Sequence, residues 1–137
     1  MRIFALLLLF MYAHSVSAVD DDHPVLPVWV SAQCGTDDVA SQLMFSIREA
    51  IRASSGYSLA STGQKPALML TIICMPRSSP VGVDYASTLT MPNPAGGKRA
   101  LLLTASIESC PAKETDECAK SLLASIDEEV LKIRTGQ

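Results

Sequence analysis

Four cysteines, two histidines and a handful of carboxylates are the groups in this 137-residue chain that could do chemistry. Acyl transfer by a serine needs a base held beside it, usually histidine. His14 lies in an apolar N-terminal segment and His23 follows an acidic run, so neither is placed to serve a triad, and no Gly-x-Ser-x-Gly occurs. His23 with Asp20, Asp21 and Asp22 could loosely hold a divalent cation, but a solvated acidic terminus explains the run more simply. Hydrolysis by paired carboxylates needs two acids converging in a cleft. Asp37-Asp38 and Glu128-Glu129 read instead as a helix cap and a helix surface. Asp84 is the one acid in the middle of an alternating run, on its polar side with Thr88, and a small exported hydrolase would use it or a helix-borne carboxylate. Pro94–Arg99 offers backbone donors and two cations without the spacing of a phosphate-binding loop. These residues call for no cofactor, no metal and no catalytic group.

Cys34, Cys74, Cys110 and Cys118 show no zinc spacing: there is no Cys-x-x-Cys and no pair of histidines near them. An even count in an exported chain reads as two disulfides made in an oxidising compartment, with three possible connectivities. Export itself is read from the N-terminus. Met1-Arg2 is followed by the apolar run Ile3–Ala13 and by Val16-Ser17-Ala18, small or modest side chains where a signal peptidase would cut. Residues 1–18 are therefore expected to be a signal peptide, with no membrane span after cleavage. Residues 19–27 form a flexible acidic leader, and residues 28–137 form one small domain. With 11 basic against 14 acidic residues and no basic stripe, nucleic acid is a poor partner.

The elements that must position these groups are organised around Ala67–Met75, ALMLTIICM. This uncharged run has the length of a strand, carries β-branched residues and is apolar on both sides, as a central strand is. Before it, Val28–Gln33 alternates as a strand. Asp37–Ser54 repeats Val39, Leu43, Ile47 and Ile51 on one helical face, with Thr36 or Asp37 as cap and Gly56 just past the end. Tyr57–Ala60 reads as a short edge strand. After the turn Pro76–Pro80, Val81–Met91 alternates clearly, Pro92–Gly97 makes a hairpin loop, and Lys98–Glu108 returns with Leu101, Leu103, Ala105 and Ile107 on one side. A last helix runs from about Asp116 to Arg134 with Thr115 as cap.

The expected fold is α+β, a two-layer sandwich of four or five strands in the order β-α-β-β-β-β-α, with both helices on one face of a mixed sheet. A helical crossover makes the first and central strands parallel neighbours. Cys34 and Cys74 then reach the same edge of the sheet, so the preferred bridges are Cys34–Cys74 and Cys110–Cys118.

This order, with an exported leader, resembles the small periplasmic α/β domain at the N-terminus of TolB and in LpoB and CsgG. The strand Val28–Gln33, the helix end IREAIRASSGYSLAS (Ile47–Ser61) and the buried strand Ala67–Met75 carry the resemblance. It implies a non-catalytic, protein-binding role in the cell envelope. Two helices on one face leave the other face open, and alternation places Met69, Ile73 and Met75 or their alternates there, together with Trp29, as a partner or dimer surface unless the leader folds back over it. The expected partner is an unidentified envelope protein or a second copy of the chain. An inhibitor or immunity-type protein is a narrower form of this reading.

Overall fold

The computed structural model describes residues 23–75 and 81–136. The signal peptide expected at 1–18, the leader up to Asp22 and the turn at 76–80 lie outside the described residues. The elements are β1 (Leu26–Gln33), α1 (Asp38–Ala53), β2 (Tyr57–Leu59), β3 (Leu68–Met75), β4 (Gly82–Pro92), β5 (Ala100–Pro111) and α2 (Thr115–Thr135). The strands form one five-stranded sheet in the order β2-β1-β3-β4-β5. β3, the apolar run, is central and pairs parallel with β1 and antiparallel with β4. A parallel pair needs a long crossover, and α1 supplies it. The short connection after Met75 and the hairpin loop leave β3, β4 and β5 as an antiparallel meander.

Both helices cover one face. Leu43, Ile47 and Ile51 of α1 and Ala119, Leu122 and Ile126 of α2 share a single buried core with Val28, Leu68, Leu70, Ile72, Val83, Tyr85 and Leu89 of the sheet. Each large aliphatic side chain buried there contributes about 1.5–3 kcal/mol, which is what holds the layers together. The Asp37 carboxylate accepts from the Val39 N–H at 2.8 Å and caps α1.

Several local expectations are corrected. β1 starts at Leu26, so Leu26 and Pro27 belong to the sheet and not to the leader. The Leu26 N–H donates to the Gly56 carbonyl at 2.9 Å, and the Pro27 carbonyl accepts from the Ala67 N–H at 2.8 Å. Proline is tolerated because this contact uses only its carbonyl. Gly56 is not a left-handed cap; α1 ends at an extended Ser54, whose hydroxyl accepts from the Gly56 N–H at 3.1 Å. Thr115 does not cap α2 but is its buried first residue, and Glu114 occupies the cap position without a side-chain bond. Gly136 does close α2 with a left-handed φ of 69°.

The apolar side expected for Lys98–Glu108 is split between the two faces. The pairing of β4 with β5 shifts between Leu89 and Thr90: Leu89 opposes Thr104 and Thr90 opposes Leu102. Leu103 is the extra residue of a bulge, and one extra residue exchanges the faces of everything beyond it. Ala105, Ile107 and Leu102 therefore lie on the face away from the helices, while Leu103 packs against the core.

Both expected disulfides are present. Cys34–Cys74 ties the ends of β1 and β3, with Cα atoms 4.6 Å apart. Cys110–Cys118 clips β5 to α2 across 6.0 Å.

Candidate protein-binding face

Strand pairing builds the face of the sheet that the helices do not cover. Trp29 opposes Met69, Met69 opposes Thr90 and Thr90 opposes Leu102. The same construction two residues along gives Ser31, Thr71, Thr88 and Ala105. The next row is Gln33, Ile73, Ala86 and Ile107, and the last is Met75, Asp84 and Ser109. Two rows rich in apolar side chains thus flank one of hydroxyls.

The four residues expected on this face all lie on it. Trp29 is 39 % exposed, Ile73 43 % and Met75 36 %, and Met69 is half-buried between its neighbours. Leu102 and Ile107 extend the rows onto β5 and are more exposed still, at 58 % and 77 %. Strict alternation sends Ile107 to the same side as Leu101 and Leu103, so sequence reading misses it, and it assigns no role to Leu102. The leucine run at 101–103 does not signal the bulge, since the longer apolar run of β3 pairs without one.

Asp84 sits at the end of this face, its carboxylate accepting from the Ser109 hydroxyl. Its pairing neighbours are Met75 and Ser109, so the structure brings no second carboxylate opposite it. Among the described residues no cluster of three or more histidines, cysteines or acids has metal-binding geometry. His23 lies exposed just before β1, while Asp20–Asp22 are outside the described residues.

A concavity lies on the helix side of the molecule. It is a groove of about 690 Å³ between α1 and α2, lined by Phe45, Ser46, Glu49, Asp116, Lys120 and Leu123 among others. Its polar centre ties the helices together: the buried Ser46 hydroxyl donates to Asp116 Oδ1 at 2.5 Å. Lys120 pairs with Glu117 at 2.7 Å rather than with Asp116.

A second polar group lies under the helices at the β4–β5 pair. The Tyr85 hydroxyl donates to Glu108 Oε2 at 2.9 Å, Ser106 donates to Glu108 Oε1 at 3.0 Å, and the Ser87 and Ser106 hydroxyls are 2.8 Å apart. Burial, then the hydrogen bond and charge of Glu108, hold the Tyr85 phenol well above its ordinary value. Tyr57 is raised in the same way, by burial first and then by its hydrogen bond to Asp127. Both phenols are protonated donors at neutral pH, which suits a structural role. Among the described residues no helix is long and apolar enough to cross a membrane.

No family model and no curated protein matches the chain. Among solved structures, a PelC dodecamer from Paraburkholderia phytofirmans is similar at 15 % identity over 78 % of this chain and 90 % of that chain, with a TM-score of 0.45.

Proposed function

We propose that this chain is an exported module of the cell envelope that binds another protein through its open sheet face and catalyses no reaction. The observation that carries the reading is the pair of exposed apolar rows, Trp29–Met69–Leu102 and Ile73–Ala86–Ile107, on a face that no described element covers. Apolar side chains that could have been turned into a core and are instead grouped on one surface are characteristic of interaction sites. An exposed tryptophan among them has the chemistry of an interface anchor. The two disulfides suit an oxidising compartment outside the cytoplasm. The resemblance to the periplasmic TolB N-terminal domain, LpoB and CsgG points to the same setting.

The test is capture from envelope extract with the oxidised chain as bait, beside the double variant Trp29→Ser/Ile73→Ser. The expected result is a stoichiometric partner retained by the wild type and lost by the variant, with Tm unchanged. Capture of the same proteins by both baits, or of none by either, overturns the reading.

A further inference from the structure

β5 forms one edge of the sheet: β4 pairs with one of its sides, and no described strand pairs with the other. An edge strand presents a row of backbone donors and acceptors to any strand that can reach it, and proteins ordinarily blunt such an edge with charge, proline or brevity. The opposite edge, β2, is blunted by its length of three residues. β5 is twelve residues long and carries neither charge nor proline from Ala100 to Ile107. Its one internal charge, Glu108, is bonded to Tyr85 and Ser106. Along this edge Leu101, Leu102 and Ile107 are 62 %, 58 % and 77 % exposed.

The charges at its two ends have opposite sign. Lys98 and Arg99 precede the strand, while Glu108 lies near its end with Asp84 beside Ser109. Two copies side by side and parallel would bring like charges together. Two copies antiparallel would bring the basic end of each to the acidic end of the other.

One register sets the exposed apolar side chains of the open face against each other. With Leu103 and Thr104 counted as one ladder position, an antiparallel copy centred on Ala105 places Leu102 opposite Ile107, both on the open face. It also places Leu101 opposite Glu108. Every opposed pair then shares a face, as a two-fold axis perpendicular to the sheet requires.

We propose that a second copy of this chain pairs with the first through β5, antiparallel about a two-fold axis at Ala105, joining two five-stranded sheets into one continuous sheet. Leu102 and Ile107 belong both to this edge and to the open face, whereas Trp29 and Ile73 lie on β1 and β3, away from the join.

The test is analytical ultracentrifugation of the oxidised chain over a micromolar concentration series. The double variant Leu102→Lys/Ile107→Lys and the charge reversal Lys98→Glu/Arg99→Glu are run beside it. The wild type is expected to reach twice the monomer mass. The lysine variant should stay monomeric with unchanged circular dichroism, since both sites are exposed. The charge reversal should weaken dimerisation by about tenfold at low salt. A wild type that remains monomeric, a dimer that survives the lysine pair, or a charge reversal that leaves the dissociation constant unchanged would each overturn the proposal. Loss of the envelope partner in the Trp29→Ser/Ile73→Ser variant with dimerisation intact would separate the two surfaces.

Discussion

Tyr85 and Glu108 face each other across β4 and β5, with the phenol hydroxyl 2.9 Å from the Glu108 carboxylate and the tyrosine ring fully buried beneath the helices. A carboxylate on an edge strand is thereby held on the covered side of the sheet. Removing the hydroxyl with Tyr85→Phe is expected to cost about 2 kcal/mol, the scale of a hydrogen bond to a charged group. Urea denaturation at pH 7 measures it. A change no larger than that of an exposed control would show that Ser106 alone satisfies Glu108.

The same phenol sets a pH dependence. Its folded-state value is raised above the ordinary 10.0, and so is that of Tyr57. A raised acid binds its proton more tightly when folded, so its contribution is complete below pH 10 and is lost as pH climbs above it. Wild-type stability is expected to begin falling at about pH 10, the ordinary tyrosine value, and to keep falling as pH rises towards the raised folded-state values. The Tyr57→Phe/Tyr85→Phe variant should fall less steeply. Parallel curves for the two proteins would contradict the assignment.

The disulfides should contribute unequally. Cys34–Cys74 closes a separation of 40 residues and Cys110–Cys118 one of 8. On the chain-entropy account they contribute about 4 and about 2.5 kcal/mol. Removing each pair with double alanine variants and comparing urea midpoints checks the order, and a larger loss from the Cys110–Cys118 pair would reverse it.

These elements also mark how far the sequence could be read. The parallel neighbours β1 and β3 follow from a helical crossover and an apolar central strand, and Cys34–Cys74 follows from their adjacency. Trp29, Met69, Ile73 and Met75 share the face away from the helices, as alternation predicts, because β1 and β3 are regular. Ile107 joins that face against alternation, because a single bulged residue at Leu103 reverses the faces of the residues beyond it. Whether a strand bulges is decided by its partner, not by its own residues. Thr115 failed as a cap for a similar reason: its burial beside Ser46 depends on how α1 meets α2. The Ser87–Ser106–Glu108 group was invisible because its members are joined only by the register of β4 against β5.

The helix pair offers a local test. Ser46 is buried, and its hydroxyl reaches Asp116, whose own residue is exposed. Ser46→Ala leaves a carboxylate that water can still solvate, so the expected loss is about 1 kcal/mol. Asp116→Ala instead leaves a buried hydroxyl with only the long 3.4 Å contact to Thr115, and should cost at least as much. Thermal unfolding of both variants decides it, and a cheaper Asp116→Ala would show that Thr115 suffices.

Gly82 supplies the sharpest steric prediction. It opens β4 opposite Pro111, and a Cβ built there would stand 2.5 Å from the Cys110 carbonyl oxygen and 3.2 Å from the Pro111 Cα. Both obstacles are backbone, and Cys110 is itself held by its disulfide to Cys118. The strand can admit a methyl group only by moving apart, so Gly82→Ala is expected to lose about 2–3 kcal/mol, the upper range for overpacking. Gly35→Ala is the control, since nothing lies within 4 Å of its Cβ position. Urea denaturation of the two variants should separate them clearly. Equal stabilities would mean that the β4–β5 pair yields at this end and that the Cys110–Cys118 clip does not hold β5 against it.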